Sequence, residues 1–189
     1  LSEDTIKAYE NEGRSYVIRF KSLRHAITLK DGIYGNIDFP RDHVDDFIIL
    51  KHDFGPSYNF AVVVDDMLMD ITHVIRGADH ISNTPKQMMI FEALGATPPL
   101  YAHHSLLVGN DKKPLSKRCG VVSIKDFRDM GILPFALVNY ISVIGRNIKS
   151  ELFDEKELVS TFSLESFSPS DTVFDMEKLL WFNKEYIRR

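Results

Sequence analysis

The stretch that most constrains the fold lies between residues 71 and 108. Ile71-Thr72-His73-Val74-Ile75 is a β-branched run that reads as a strand. A punctuated helix follows, with Thr84 as N-cap, Pro85 at the first helical position and Gln87 completing a capping box. Met88, Ile90, Phe91 and Leu94 supply its apolar positions and Gly95 stops it. After Pro98-Pro99, the segment from Ala102 to Val108 reads as another strand. Strand, helix, strand is the order that a parallel βαβ unit requires, so an α/β class is expected. Two adjacent strands do not by themselves make a complete doubly wound sheet.

The flanks differ in texture. Residues 1–12 are polar and end at Gly13, as at a helix closed by a glycine. Tyr16–Phe20, Ala26–Leu29, Ile33–Ile37 and Phe47–Leu50 are short β-rich runs, and Asp31-Gly32 between the second and third is a hairpin signal. Asp53-Phe54-Gly55-Pro56 is turn chemistry. Residues 1–56 thus read as a mainly β segment. Phe60–Val64 is a continuous apolar run, expected as a strand or helix buried on both faces. From residue 123 onward the pattern is helical: Ser123 with Asp126, then Pro134–Ile144 before Gly145, then Asp154 with Glu157, then a last helix from Asp175 toward Arg189. Ser163–Ser170 reads as a connector.

Composition removes several classes. Of 189 residues, 44% are hydrophobic and 26% charged, which disfavours disorder and coiled coil over the whole chain. Lys and Arg number 23 against 27 Asp and Glu, a net charge of −4, so any nucleic-acid contact must come from a local patch. A single cysteine, Cys119, excludes an internal disulfide and a multi-cysteine zinc site. No apolar stretch approaches a membrane span, and a cytoplasmic setting is expected. The absence of an initiator Met before Leu1 leads us to expect a chain cut from something longer.

Three places can carry chemistry. Lys112, Lys113, Lys117 and Arg118 fall in one loop between Gly109 and Gly120, directly after an apolar strand candidate. Such a loop can close over a triphosphate, with Lys as a movable point charge; equally, it can be a solvated charged turn. Arg76 sits just past a strand, where open α/β sheets place their ligand residues, and its planar fork suits a carboxylate or phosphate. The alternative there is a surface ion pair. Tyr58 precedes the apolar run and either points its hydroxyl into a pocket or is a core aromatic. Asp65-Asp66 and His73, His80, His103 and His104 have no recognisable ligand motif, so no dedicated metal site is expected. No Walker loop, dinucleotide fingerprint or nucleophile elbow appears.

Four segments together, 58–66, 71–80, 82–87 and Leu115-Ser116-Lys117-Arg118, resemble the glutamyl-tRNA synthetases, class I aminoacyl-tRNA synthetases, in order and in spacing. The last resembles that family's form of the class signature named KMSKS. The resemblance runs more loosely through 17–20, 45–50 and 178–183, so it covers nearly the whole chain. The family's His-x-Gly-His-type signature is absent, and no anticodon-binding domain follows Arg189. The resemblance therefore implies an internal piece. Residues 1–56 would be the end of an acceptor-stem-binding insertion, 57–122 the second half of a Rossmann-like catalytic domain with its signature loop at 111–120, and 123–189 a helical stem-contact region.

What the resemblance implies for function is ATP-dependent formation of glutamyl adenylate and transfer of the glutamyl group to tRNA, by a fragment inactive alone. Its partners would be the tRNA for glutamate, L-glutamate and ATP with Mg2+, with no membrane, a monomeric state and no metal held by the protein. It makes Lys117 the residue that stabilises departing pyrophosphate, with Ser116 and Arg118 shaping the loop. Arg76 would receive the substrate's side-chain carboxylate and Tyr58 would line the same pocket. Asp79 and His80 would lie near the nucleotide, and Leu107 and Val108 would line the adenine site. Pro114 replaces the signature's first lysine, leaving Lys113 one residue upstream, and Cys119 stands where the family often has histidine. Two alternatives remain: the paralogue that glutamylates a modified tRNA base, and a non-catalytic tRNA-binding module.

Overall fold

The computed structural model describes residues 2–113, 115, 123–146 and 151–189. They fall into two compact units that share the chain in alternating segments, the first built from Leu1–Lys30, Asn36–Val74 and Ile81–Tyr101, the second from Asp31–Gly35, Ile75–His80 and Ala102–Arg189.

In the first unit, α1 (Glu3–Asn11) opens on Ser2, whose hydroxyl accepts from the Thr5 N–H, and ends before Gly13 at φ +65°. Strand β1 (Ile18–Phe20) pairs antiparallel with β4 (Phe47–Leu50), setting Phe20 opposite Phe47 with their rings stacked at 5.2 Å. Strand β2 (Ile27–Asp31) alternates, burying Ile27, Leu29 and Asp31 and exposing Thr28 and Lys30, and it is the neighbour of β3 (Gly35–Phe39), as the Asp31-Gly32 turn requires. Ile27, Leu29 and Phe39 pack with Val44, Met89 and Tyr101 in one apolar cluster.

The run Phe60–Val64 is helical, part of α2 (Tyr58–Leu68), and its expected burial on both faces does not hold. A helix turns consecutive residues around its axis, so only Val63 is fully enclosed, against Ile90 and Phe91. After β5 (His73–Gly77), a 3₁₀ turn (Ala78–Asn83) runs straight into α3 (Thr84–Ala93). That turn moves the N-cap from Thr84 to Asn83, whose αR backbone makes no side-chain cap bond; the Gln87 amide instead donates to Asn59 Oδ1 at 3.0 Å. Strand β6 (Leu100–His104) follows and lies beside β5 in a four-stranded sheet of order β3-β2-β6-β5. The Leu100 N–H donates to Thr72 O at 3.0 Å, so β5 and β6 start at the same end of the sheet and form the parallel βαβ pair.

The expected strand 102–108 is broken after His104. Leu106 turns away, donating its N–H to Asp171 Oδ1 and accepting from the Thr172 N–H, and β7 (Leu107–Val108) pairs in parallel with β8 (Thr172–Val173). The helices of the second unit are α4 (Ile124–Asp129), α5 (Pro134–Val143), α6 (Glu155–Ser160) and α7 (Met176–Arg188). Ser123 with Asp126 and Asp154 with Glu157 both form complete capping boxes, and Asp175 caps α7. Ala136, Tyr140, Leu179 and Phe182 are completely enclosed in the core joining α5 and α7. The connector Ser163–Ser170 contains a 3₁₀ turn (Leu164–Ser166) that leads to β8. Among the described residues, no helix is long and apolar enough to cross a membrane.

Candidate functional site

Three neighbouring strands of the sheet, β2, β6 and β5, carry Asp31, His103 and Arg76 in a row. Adjacent strands lie about 4.7–4.9 Å apart, so side chains directed to one face can bond from strand to strand. Here they do: Arg76 Nε donates to His103 Nε2 at 3.1 Å, and His103 Nδ1 lies 2.6 Å from Asp31 Oδ2. A guanidinium only donates, so His103 Nε2 is an acceptor and the ring proton sits on Nδ1, which donates to Asp31.

Asp31 and His103 are both shut off from solvent. Burial pushes the Asp31 carboxyl upward, but donors outweigh it: the Tyr34 N–H, the His103 ring, and the N–H groups of Ile33 and His103 hold it below its ordinary value. For His103, burial is the largest influence and lowers it; the Asp31 hydrogen bond and charge raise it, the Arg76 and His80 charges lower it, and the net direction is down. The pair is therefore an ionised carboxylate against a neutral imidazole.

Beyond Arg76 the strand ends at Gly77. A Cβ there would come within 2.4 Å of Asp79 Oδ1, so the bare backbone at Gly77 makes room for the Asp79 carboxylate. Asp79 is exposed, and His80 Nε2 lies 3.8 Å from its Oδ2. Leu107 is half-buried at the edge of an apolar cavity of about 250 Å3 that Ile75, Ser105 and Ile144 also line. Val108, 3% exposed, is packed inside the unit, and its carbonyl accepts from the Phe174 N–H at 2.9 Å. The chain then makes a tight excursion: Lys112, at φ +58°, donates its N–H to Gly109 O, Gly109 donates to Lys113 O, and the Leu115 N–H returns to Leu107 O at 3.0 Å. Ser116, Lys117 and Arg118 lie outside the described residues, as do Pro114 and Cys119, but the residue just before the triplet is tied to β7.

The second unit thus brings Arg76, Asp79, His80 and Leu107 into consecutive loops and strand ends. Tyr58 belongs to the first unit, at the start of α2, and is 53% exposed, so it is not a core aromatic. Among the described residues, no three His, Cys, Asp or Glu side chains gather as a metal-binding group. Asp31 and His103 were not candidates from sequence: Asp31-Gly32 signals a turn, and His103 is one of seven histidines, none in a recognisable ligand motif. A polar residue at an inward-facing position of a half-buried strand was the available signal.

The model of the family described as tRNA synthetases class I (E and Q), catalytic domain, matches residues 1–181. This chain belongs to that family. Its relatives among the class I synthetases include glutamate–tRNA ligase 1 of Caldanaerobacter subterraneus subsp. tengcongensis, 47% identical over 100% of this chain and 40% of that protein. The glutamate–tRNA ligase of Natranaerobius thermophilus is 48% identical over 100% of this chain and 39% of its own length. The crystal structure of glutamate-tRNA synthetase from Elizabethkingia anophelis superposes with a TM-score of 0.90 at 32% identity, covering 100% of this chain and 42% of that one. That of a glutamate tRNA ligase from Elizabethkingia meningosepticum in complex with its amino acid gives 0.91, also at 32% identity, with 100% and 42% covered. The chain spans about 40% of the length of the curated relatives it matches. Its mixed α/β architecture is the Rossmann-like fold of the class I synthetase catalytic domain.

Proposed function

We propose that this chain works as part of a glutamate–tRNA ligase, a monomeric cytoplasmic enzyme that uses ATP with Mg2+. The observation that supports the reading is a guanidinium, Arg76, held by hydrogen bonding at the end of β5 in a chain that belongs to the class I (E and Q) family. The glutamate side-chain carboxylate binds the Arg76 fork, and a neutral glutamine amide there would not neutralise its charge. Residues 1–56 belong to the acceptor-stem insertion, 57–122 to the catalytic half-fold, and 123–189 to the stem-contact region.

In the first step the α-carboxylate of glutamate attacks the α-phosphorus of ATP and the bond to the bridging oxygen breaks, releasing pyrophosphate and leaving glutamyl adenylate. Lys117 neutralises charge on the departing pyrophosphate, with Ser116 and Arg118 shaping its loop and Leu115 anchoring the loop's start at Leu107. Asp79 and His80 flank the nucleotide and Leu107 bounds the adenine, with Val108 behind it in the packed interior. In the second step a hydroxyl of the tRNA's terminal adenosine attacks the glutamyl carbonyl and AMP leaves. The test is Lys117→Ala in the full-length protein that carries this sequence. Pyrophosphate exchange should fall about 100- to 1,000-fold while tRNA affinity stays within a factor of about two. Lost tRNA affinity with intact exchange would instead mark the loop as an RNA-binding element.

A further inference from the structure

We infer that Asp31 and His103 are positioning residues for amino-acid recognition, a buried relay across three strands that sets the plane of the Arg76 guanidinium. The inference rests on Arg76 receiving the substrate carboxylate. A flexible arginine at a strand end samples many rotamers, and binding must freeze them. A hydrogen bond at Nε fixes the plane of the fork while itself using none of the terminal N–H donors that a bidentate carboxylate needs.

The relay runs in one direction only. Arg76 cannot accept, so His103 must accept at Nε2 and donate at Nδ1, and an acceptor must face Nδ1. Asp31 is that acceptor, and its other oxygen is itself fixed: Oδ1 takes the N–H groups of Ile33 and Tyr34 at 2.9 Å each, while the His103 N–H approaches both oxygens at 3.1–3.2 Å. The hairpin turn after β2 thereby sets the carboxylate, the carboxylate sets the imidazole tautomer, and the imidazole sets the arginine. Complete enclosure of Asp31 and His103 keeps water from supplying a substitute partner.

Substitutions can separate the links. Asp31→Asn, with its oxygen left on the turn N–H groups, presents an amide N–H to His103 Nδ1; the ring proton moves to Nε2 and meets the Arg76 Nε–H as donor against donor. His103→Asn imitates Nδ1 and keeps the Asp31 bond without an acceptor for Arg76. His103→Gln places an acceptor near the former Nε2. In the full-length protein, glutamate KM should rise about 10- to 100-fold in Asp31→Asn and His103→Asn, ATP KM should stay within twofold, and His103→Gln should recover at least part of the loss. Discrimination against glutamine should fall in the same two variants.

Arg76→Leu separates this inference from the reading beneath it. If Arg76→Leu raises glutamate KM more than 100-fold while Asp31→Asn and His103→Asn leave it unchanged, the relay is overturned and the substrate role of Arg76 stands. If Arg76→Leu leaves glutamate KM unchanged, both fall. A measurement that needs no folded variant is the 15N spectrum of histidine-labelled wild-type protein: His103 should carry its proton on Nδ1, and an Nε2–H tautomer overturns the relay.

Discussion

His103 Nδ1 lies 2.6 Å from Asp31 Oδ2, and neither side chain reaches solvent. The pair joins the last residue of β2 to the next-to-last residue of β6, and its protonation state is fixed by what surrounds it. Both groups are held below their ordinary values, so in the folded protein both resist taking up a proton.

Stability should therefore fall toward acid. A group whose folded value is depressed adds stability above its unfolded value, about 6.5 for His and 3.9 for Asp, and loses it as pH falls. His103 gives the first loss, below about pH 6.5, and Asp31 a second, below about pH 4. His25 works the other way: the Ala26 carbonyl raises it most, Glu92 adds to that, and its small contribution is lost as pH rises. The difference in melting temperature between wild type and His103→Gln isolates the first loss. It should shrink from pH 7 to pH 5, and a constant difference would show that the imidazole does not titrate with unfolding.

Gly77→Ala probes the other side of Arg76. The new Cβ would sit 2.4 Å from Asp79 Oδ1 and 3.4 Å from Leu106 Cδ2, so the Asp79 carboxylate must swing away. Asp79 is exposed and moves at little cost, so the stability change should stay within about 1 kcal/mol. Its position beside His80 is lost, and if Asp79 flanks the nucleotide, ATP KM should rise severalfold with glutamate KM much less affected. Equal changes in both constants would mean that the backbone of β5 has shifted.

What could be read from sequence was local. The boxes Ser123 with Asp126 and Asp154 with Glu157 are visible because the bonding groups lie three residues apart, and the structure forms both. The same reasoning misplaced the start of α3, since a preceding 3₁₀ turn already supplies its first residues with helical backbone. The break between β6 and β7 was hidden because its cause, Thr172 pairing with Leu107, lies far along the chain. Arg76 could be proposed from its place at a strand end. Asp31 and His103 could not, because only the strand order sets them beside it.

Arg146 is the other arginine whose geometry predicts a phenotype. Its Nε donates to Ser166 Oγ at 2.8 Å, one terminal nitrogen donates to Ser142 O at 3.2 Å and the other to Thr161 O at 2.7 Å. The guanidinium also lies 5.2 Å from the Phe167 ring centroid. One planar group thus ties the end of α5 to the segment that leads into β8. Arg146→Lys keeps the charge but cannot reach three acceptors from one ammonium, so it should destabilise by about 1–3 kcal/mol, nearly as much as Arg146→Ala. Denaturant unfolding of the full-length protein checks this; a lysine variant equal to wild type would reduce the network to a charge effect.

Asn183 on α7 closes the turn between α4 and α5. Its amide nitrogen donates to Gly131 O at 3.1 Å and its oxygen accepts from the Leu133 N–H at 2.8 Å, with the residue 8% exposed. The turn has no helical partner for either group, because Gly131 stands at φ +78° and Leu133 is the N-cap of α5. Asn183→Ala leaves the Leu133 N–H and the Gly131 carbonyl without this partner at a part-buried turn, a cost of about 1–2 kcal/mol. Asn183→Asp keeps the acceptor for Leu133 but turns a carboxylate oxygen toward the Gly131 carbonyl, so it should also destabilise, and more at pH 7 than at pH 4, where a protonated carboxyl can donate. That pH dependence is the decisive readout: a loss of space-filling alone would not change with pH, whereas a lost donor regained by protonation must.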